Sequence, residues 1–358
     1  VGGSSGILTA GLAYGGADSS PSNKTERYDG TTWSAESTLG TARYNHSGAG
    51  TNDTTALFAA GGPPSGLSIA EEYTVTVNTI TAAAWASGGN MNTGRGTAGD
   101  CGTYLAGLVF GGNPISAPYT DDKTEEYNGT SWSESGDLAH ASSDVSGAGT
   151  QTAAVAFGLS DSPNTITQHY DGSTWTTVPG TLPTSQQGAR GIGTQTAAIS
   201  VGYGTPGTGS FEYDGSTWTA GGTTNNTRTA QKPGGWGIQT AAILASGYQS
   251  PPATIISNTE TYDGTSWTET GHSVVKPIKR TAVTTAGTSS NGMLNGGGEA
   301  AGSNDGTAVT QLYNGTAWVT QPSLATSRIN QQGFGTSANG VVCSGYNPPG
   351  SVITATEE

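Results

Sequence analysis

The sequence predicts an all-β protein, a β-propeller of four-stranded antiparallel blades, from three observations. A Tyr–Asp/Asn–Gly motif ending in Trp recurs along the chain, a short apolar run ending in Gly precedes it, and the composition leaves little for helices. The motif stands at Tyr28-Asp29-Gly30 to Trp33, Tyr127-Asn128-Gly129 to Trp132 and Tyr170-Asp171-Gly172 to Trp175. It returns at Tyr213-Asp214-Gly215 to Trp218, Tyr262-Asp263-Gly264 to Trp267 and Tyr313-Asn314-Gly315 to Trp318. A stretched copy runs from Tyr73 to Trp85, and Trp236 alone of the 8 Trp lies outside the register. Repetition with a period of 43 to 52 residues is the signature of one supersecondary unit stacked on itself.

Composition agrees. The 358 residues include 58 Gly, and only 11% are charged. So much Gly with so little Leu, Lys and Glu argues against helices. Disordered chains of low hydrophobicity are rich in charge and poor in aromatics, whereas this chain has 14 regularly placed Tyr.

Each piece of the repeat has a physical role. Asp-Gly and Asn-Gly supply the positive φ of a tight hairpin. The flanking Tyr and Trp can pack against a neighbouring sheet. The apolar run, as in Ala56–Gly62, Gly107–Gly112 and Ala153–Gly158, suits a strand near a crowded axis. Upstream lies another strand, such as His46–Thr51, with a turn at Asn52-Asp53. Four strands per repeat, arranged radially, make a propeller. Eight Gly-ending runs against seven Trp hairpins favour eight blades over seven, in one domain spanning 1–358. The chain starts at Val1 and not Met, which suggests a piece of a longer polypeptide.

The order of Arg, strand, apolar strand ending Gly-Gly, Tyr and Trp resembles the kelch family over essentially the whole chain. That resemblance implies a fold and not one function, since kelch propellers serve as scaffolds, ligand binders and oxidases. The Thr-Glu-Glu-Tyr-Asn-Gly-Thr-Ser-Trp segment, 124–132, also resembles repeat proteins encoded by marine bacteriophages. This second resemblance implies a virion or extracellular location.

Two residues of the repeat vary together. An Arg lies ten residues after Trp at Arg43, Arg95, Arg228 and Arg328; a Glu lies two before the next Tyr at Glu71, Glu125 and Glu260, with Glu357 in the same register. Where Arg is absent so is Glu: Ser142 goes with Gln168, Ser185 with Phe211, and Arg280, in a shifted loop, with Gln311. Such covariation predicts ion pairs within a blade, between its first and third strands, that fix strand register. The competing reading is a ring of charges lining a site.

A four-stranded meander puts the one-to-two and three-to-four turns on one face and the other connections on the opposite face. The second face carries the variable loops, among them Pro63–Leu67, Asn113–Asp122 and Tyr248–Ala253. Variable loops on a rigid scaffold are where recognition resides. Tyr119, Asp121, Asp122, Tyr203 and Tyr248 are the candidate ligand-binding residues there, suited to sugar contacts or weak cation sites.

Other chemistries find little support. A formal charge of −14 and the lack of a basic stripe argue against nucleic acid. No apolar run reaches transmembrane length. His46, His140, His169 and His272 lack ligand spacing, and Cys101 and Cys343 do not form a disulfide scaffold. The ligands of kelch-type copper oxidases have no convincing match. The expectation is therefore a non-enzymatic recognition or structural module, a phage fibre or virion appendage, with no cofactor or metal. Its expected partners are a host-surface glycan or other virion proteins, and a homo-oligomer is an open alternative. A secreted bacterial carbohydrate-binding propeller is the runner-up, and a polysaccharide-acting propeller enzyme the third reading.

Overall fold

The repeats fold as antiparallel meanders, each strand pairing with the next of its own sheet. The computed structural model describes residues 3–7, 10–17, 19–28, 31–36, 38–43, 47–49, 55–59, 70–74, 84–114, 118–203, 207–229, 232–284, 290–300, 305–348 and 350–358. The chain forms two units, 1–81 and 82–358. In the first unit, strands Gly3–Ile7, Ala10–Tyr14, Thr25–Tyr28 and Trp33–Ala35 make one sheet. Strands Ser47–Ala49, Thr55–Ala59 and Ala70–Thr74 make another.

Among the described residues the second unit holds six sheets of three or four strands and two two-stranded hairpins, Tyr248–Gln249 with Thr254–Ile255 and Tyr346–Asn347 with Ser351–Val352. The first sheet comprises Gly99–Thr103, Ala106–Phe110, Thr124–Tyr127 and Trp132–Ser135. The second comprises Ser146–Thr150, Ala153–Phe157, Thr167–Tyr170 and Trp175–Val178. The third comprises Arg190–Thr194, Ala197–Tyr203, Gly209–Tyr213 and Trp218–Ala220. The fourth comprises Gly234–Ile238, Ala241–Ala245, Asn258–Tyr262 and Trp267–Ser273. The fifth comprises Ala282–Thr284, Gly292–Gly298, Gly306–Tyr313 and Trp318–Gln321. The sixth pairs Gln332–Gly335, Gly340–Cys343 and Thr356–Glu357. The first strands touch in cyclic order, that of the sixth sheet returning to that of the first.

The Gly-rich strand, rather than the apolar run, is the one at the axis. A Cβ on Gly191 would lie 2.3 Å from the Gly147 carbonyl of the neighbouring first strand, so only glycine allows that approach. The apolar run is the second strand, covered by a sheet on each side. Leu108, Val109 and Phe110, like Ala154 to Phe157, are fully buried, as strands enclosed on both faces must be apolar.

The Tyr and Trp join sheet to sheet. Phe110 packs on Trp175 with ring centroids 4.7 Å apart, and Phe157 on Trp218 at 4.8 Å. Four indole N–H groups also reach back to a third-strand threonine: Trp132 to Thr356 (3.1 Å), Trp175 to Thr124 (2.9 Å), Trp218 to Thr167 (2.8 Å) and Trp318 to Thr259 (2.9 Å). Tyr hydroxyls bridge the same seam further out, as Tyr170 does to Glu126 at 2.6 Å and Tyr262 to Glu212 at 2.5 Å.

One seam lacks its bond. Ser210 stands where the others have Thr, its hydroxyl donates to the Gly222 carbonyl at 2.5 Å, and the buried Trp267 Nε1 has no partner. Ser210→Thr, with a β-branched side chain held in a narrower rotamer range, should return the hydroxyl to the indole. A gain of about 1 kcal/mol is expected in urea denaturation; a loss would mean that the added methyl does not fit this seam.

The structure departs from the sequence reading at two turns. The Tyr–Trp connection is a four-residue loop in which only Gly takes positive φ, +94° at Gly172. Asp contributes through its carboxylate: Asp171 Oδ1 accepts the amides of Ser173 (2.9 Å) and Thr174 (2.8 Å). Those amides and the adjacent hydroxyls hold its pKa down at about 2.

The second departure concerns Trp85. Among the described residues its segment pairs with Thr356–Glu357. Ala86 and Glu358 exchange amide–carbonyl bonds at 2.8 Å each, and the Gly88 amide bonds the Thr356 carbonyl at 2.9 Å. The Trp85 indole reaches Thr310 Oγ1 at 3.2 Å, as those four Trp reach their threonines. The segment therefore supplies the outermost strand that the sixth sheet otherwise lacks, and it satisfies an edge that would stand open. Residues 75–83, the rest of the expected long hairpin, lie outside the described residues.

Candidate functional site

The covarying Arg and Glu form buried brackets. Arg95 Nη2 lies 2.8 Å from Glu125 Oε1 and Arg228 Nη1 2.5 Å from Glu260 Oε1, and Arg328 pairs with Glu357 in the same way. The four arginines Arg43, Arg95, Arg228 and Arg328 are fully buried; the Glu71 side chain lies outside the described residues. Arg sits in the loop ahead of the first strand and not on the strand itself. Glu also accepts two amides of that loop: Asn92 (2.7 Å) and Thr93 (3.0 Å) for Glu125, Asn225 (2.6 Å) and Asn226 (3.1 Å) for Glu260. Burial works against the Glu260 carboxylate, yet Arg228 and the Asn225 amide outweigh it and hold its pKa below the usual value.

Where the pair is missing, a neutral side chain takes over the amide. Gln168 Oε1 accepts Ala139 at 2.8 Å, and Gln311 Oε1 accepts Lys276 at 2.6 Å. Arg280 is not at the Arg position of its repeat; Ile278 is, its carbonyl receiving the Gly247 amide as that of Arg95 receives Gly345. These brackets are dispersed around the unit and hold loops in place, so they do not line a common site.

Of the five expected ligand-binding residues, the four described side chains lie on two separate connections. Tyr119 is 60% exposed, and Asp121 and Asp122 follow it on the second-to-third connection of the first sheet. Asp121 is engaged in structure: Oδ2 lies 3.4 Å from Arg95 Nη1, and Oδ1 accepts the Lys123 amide at 3.1 Å. Tyr248 belongs to the fourth sheet's connection, with the Lys279 ammonium 5.4 Å from its ring centroid. The Tyr203 side chain lies outside the described residues.

What does converge lies on the axis. Two residues ahead of each first strand stand Thr97, Asp144, Gly188, Lys232, Arg280 and Asn330, all in the left-handed region with φ between 38° and 69°. They are linked by backbone bonds: Thr97 to the Asn330 carbonyl (3.0 Å), Gly188 to Asp144 (3.0 Å), Lys232 to Gly188 (2.9 Å) and Asn330 to Arg280 (3.1 Å). The Asp144 amide donates to Thr97 Oγ1 at 3.2 Å. Non-glycine residues held at positive φ cost about 1 kcal/mol or more each and cluster at functional sites. Five of these side chains, with Asn113 and Tyr346 from second-to-third connections, wall a cavity of about 220 Å³. The cavity therefore opens on the variable-loop face.

Burial dominates the electrostatics of this mouth. It pushes the Lys232 ammonium down to about 8, against the pull of Asp100 and Asp144, and the lysine donates to the Ala98 carbonyl. It also lowers Arg280 and raises the Tyr346 phenol to about 12. Arg190 reaches across from the third sheet, donating to the carbonyls of Pro233 (2.9 Å) and Thr281 (3.0 Å), with Asp100 3.8 Å away. On the short-turn face a second cavity, about 280 Å³, is lined by strand glycines with Arg190, Asp100, Trp236 and Phe334. Among the described residues no group of three or more His, Cys, Asp or Glu could hold a metal, and no helix is long and apolar enough to cross a membrane.

The sequence reading missed the mouth because its loops differ in length, so positions counted from Trp slide out of register. Counted back from the first strand, the six residues align, and the one position that changes from Thr to Asp, Gly, Lys, Arg and Asn stands out.

No family model matches the chain, and no curated protein matches it. Solved structures do: one described as the structure of YjhT shares 10% identity at a TM-score of 0.60, over 75% of this chain and 96% of that one. That likeness is one of fold. With no helix among the described residues and repeated four-stranded antiparallel sheets, the chain has an all-β, β-propeller-like architecture.

Proposed function

We propose that the chain is a non-enzymatic recognition module of kelch-like repeats. In this reading residues 82–358 form a six-bladed ring closed by the Trp85 strand, and a ligand binds on the variable-loop face. One observation carries it: the residues that break the repeat gather around one cavity, at the mouth of the axis on that face. A scaffold under purely structural demand has no use for Lys232, Arg280 and Asp144 in strained backbone at one opening.

A host-surface glycan is the ligand class we favour, presented to a fibre or appendage of a virion. Sugar hydroxyls suit the amides and hydroxyls of Asn113, Asn330, Thr97 and Tyr346. The full chain should bind members of a glycan array, and replacing the Asn113–Asp122 and Tyr248–Ala253 connections by short Gly-Ser turns should weaken that binding at least tenfold. Uniformly null binding would leave a structural role.

One observation favours the enzyme reading: a lysine of lowered pKa beside Asp144, Arg280 and Tyr346 in a concavity is the kind of group that catalysis uses. Turnover of a polysaccharide that is abolished by Lys232→Ala would decide for it.

A further inference from the structure

The recognition reading leaves the charge of the ligand open, and the ionisable groups around the axis bear on it. Three cations, Arg190, Lys232 and Arg280, and two carboxylates, Asp100 and Asp144, line the two cavities. Of the side chains of 82–358 outside the described set only the Tyr203 phenol is ionisable, and it is neutral near pH 7.

The inner groups are committed to one another. Asp100 accepts the Gly333 amide at 2.9 Å and faces Arg190 at 3.8 Å; Arg190 holds the Pro233 and Thr281 carbonyls. Around the axis three cations thus stand against two carboxylates, with Lys232 drawn by Asp100 as well as by Asp144. Asp144 is held from the side, accepting Gln187 Nε2 at 3.3 Å. This local excess of positive charge occurs in a chain whose formal charge is −14. Charge withdrawn from water is costly unless it is compensated.

We propose that the mouth binds an oxyanion, a carboxylate or a phosphate, so that the saccharides recognised are acidic and not neutral. The proposal rests on the recognition reading and names its ligand class. Lys232 has three N–H donors and uses one on Ala98. Arg280 adds a second cation that titration does not remove, and Asn330 and Thr97 supply neutral donors on the same rim. At about 220 Å³ the cavity is smaller than the roughly 300–1,000 Å³ of drug-sized sites, which suits an anionic group and one sugar ring.

The proposal also predicts a pH dependence. Lys232 is faced by Asp100, Asp144 and Arg190; Arg280 by Asp144, Tyr346 and Tyr248, with Lys279 beside it. Since burial places Lys232 at about 8, anion affinity should be full at pH 6.5–7, about one unit or more below that value, and should decline through it. The phenol of Tyr346, raised to about 12, stays neutral over that range.

The test is calorimetric titration of the full chain with glucuronate, inorganic phosphate and, as neutral control, glucose. Glucuronate and phosphate should bind saturably and glucose should not. Lys232→Gln and Arg280→Gln should each weaken glucuronate about tenfold, the scale of one charge-assisted bond, with thermal unfolding unchanged. In the unaltered chain glucuronate affinity should fall between pH 7 and 9.5, which keeps the test valid if a variant fails to fold. Glucose binding that equals glucuronate, indifferent to pH and to both variants, would overturn the oxyanion site and leave the recognition reading standing. Binding of phosphate but of no saccharide would do the reverse.

Discussion

Replacing Arg95 by Ala should destabilise the second unit by about 3–5 kcal/mol, the cost of leaving a buried carboxylate without its cation. In a unit of this size that lowers Tm by on the order of 10 °C. Arg95 does more than neutralise Glu125. Its Nη1 donates to the Lys123 carbonyl at 2.7 Å and the Gly111 carbonyl at 3.3 Å, so the truncation also takes a donor from two carbonyls, of which that of Lys123 keeps the Gly111 amide. The double variant Arg95→Ala/Glu125→Gln should recover part of the loss, because Gln in this place works elsewhere in the chain: Gln168 and Gln311 hold the same loop amides without an Arg. A double-mutant cycle by urea denaturation measures the coupling. Unchanged stability of Arg95→Ala would mean that the pair is not part of the scaffold.

Opening the ring should be comparably severe. Ala86→Pro removes the amide that bonds the Glu358 carbonyl at 2.8 Å and places Pro where a ladder N–H is needed. Trp85→Ala removes the indole that bonds Thr310 Oγ1 at 3.2 Å and the Pro322 carbonyl at 3.1 Å. Together they should cost about 3 kcal/mol, from truncation of a partly buried aromatic and an unmade backbone bond. Hydrogen exchange should show the loss of protection concentrated in Gly340–Cys343 and Thr356–Glu357, next to the vacated edge. Protection lost evenly over all six sheets would contradict a local closing role for this strand.

Much of this architecture was legible because the repeat is strict. The Tyr, Trp and Gly-ending runs mark repeated antiparallel sheets of three or four strands in both units. The ion pairs were legible because Arg and Glu disappear together, which only a direct interaction requires. The partner of the Trp85 strand was not legible: sequence adjacency favours Tyr73, whereas the open edge beside Glu357 offers the same hydrogen bonds from the far end of the chain. The mouth was hidden for another reason. Lys232 and Arg280 gain their meaning from meeting Asp144 and Tyr346 across an axis, and linear spacing does not encode that meeting. The loop candidates Tyr119 and Tyr248 had the right face but belong to separate sheets, and Asp121 turned out to serve Arg95.

The central claim is that the mouth ringed by Thr97, Asp144, Gly188, Lys232, Arg280 and Asn330 is where this chain meets its ligand. Amide chemical-shift mapping tests it most directly, using the tightest-binding glycan from the array on the full chain. The account predicts saturable shifts at the amides of Thr97, Gly188, Lys232 and Asn330, with little change at the other end of the axis. Shifts confined to Gly102, Gly149, Gly193 and Gly237, beside the short-turn cavity, would contradict it.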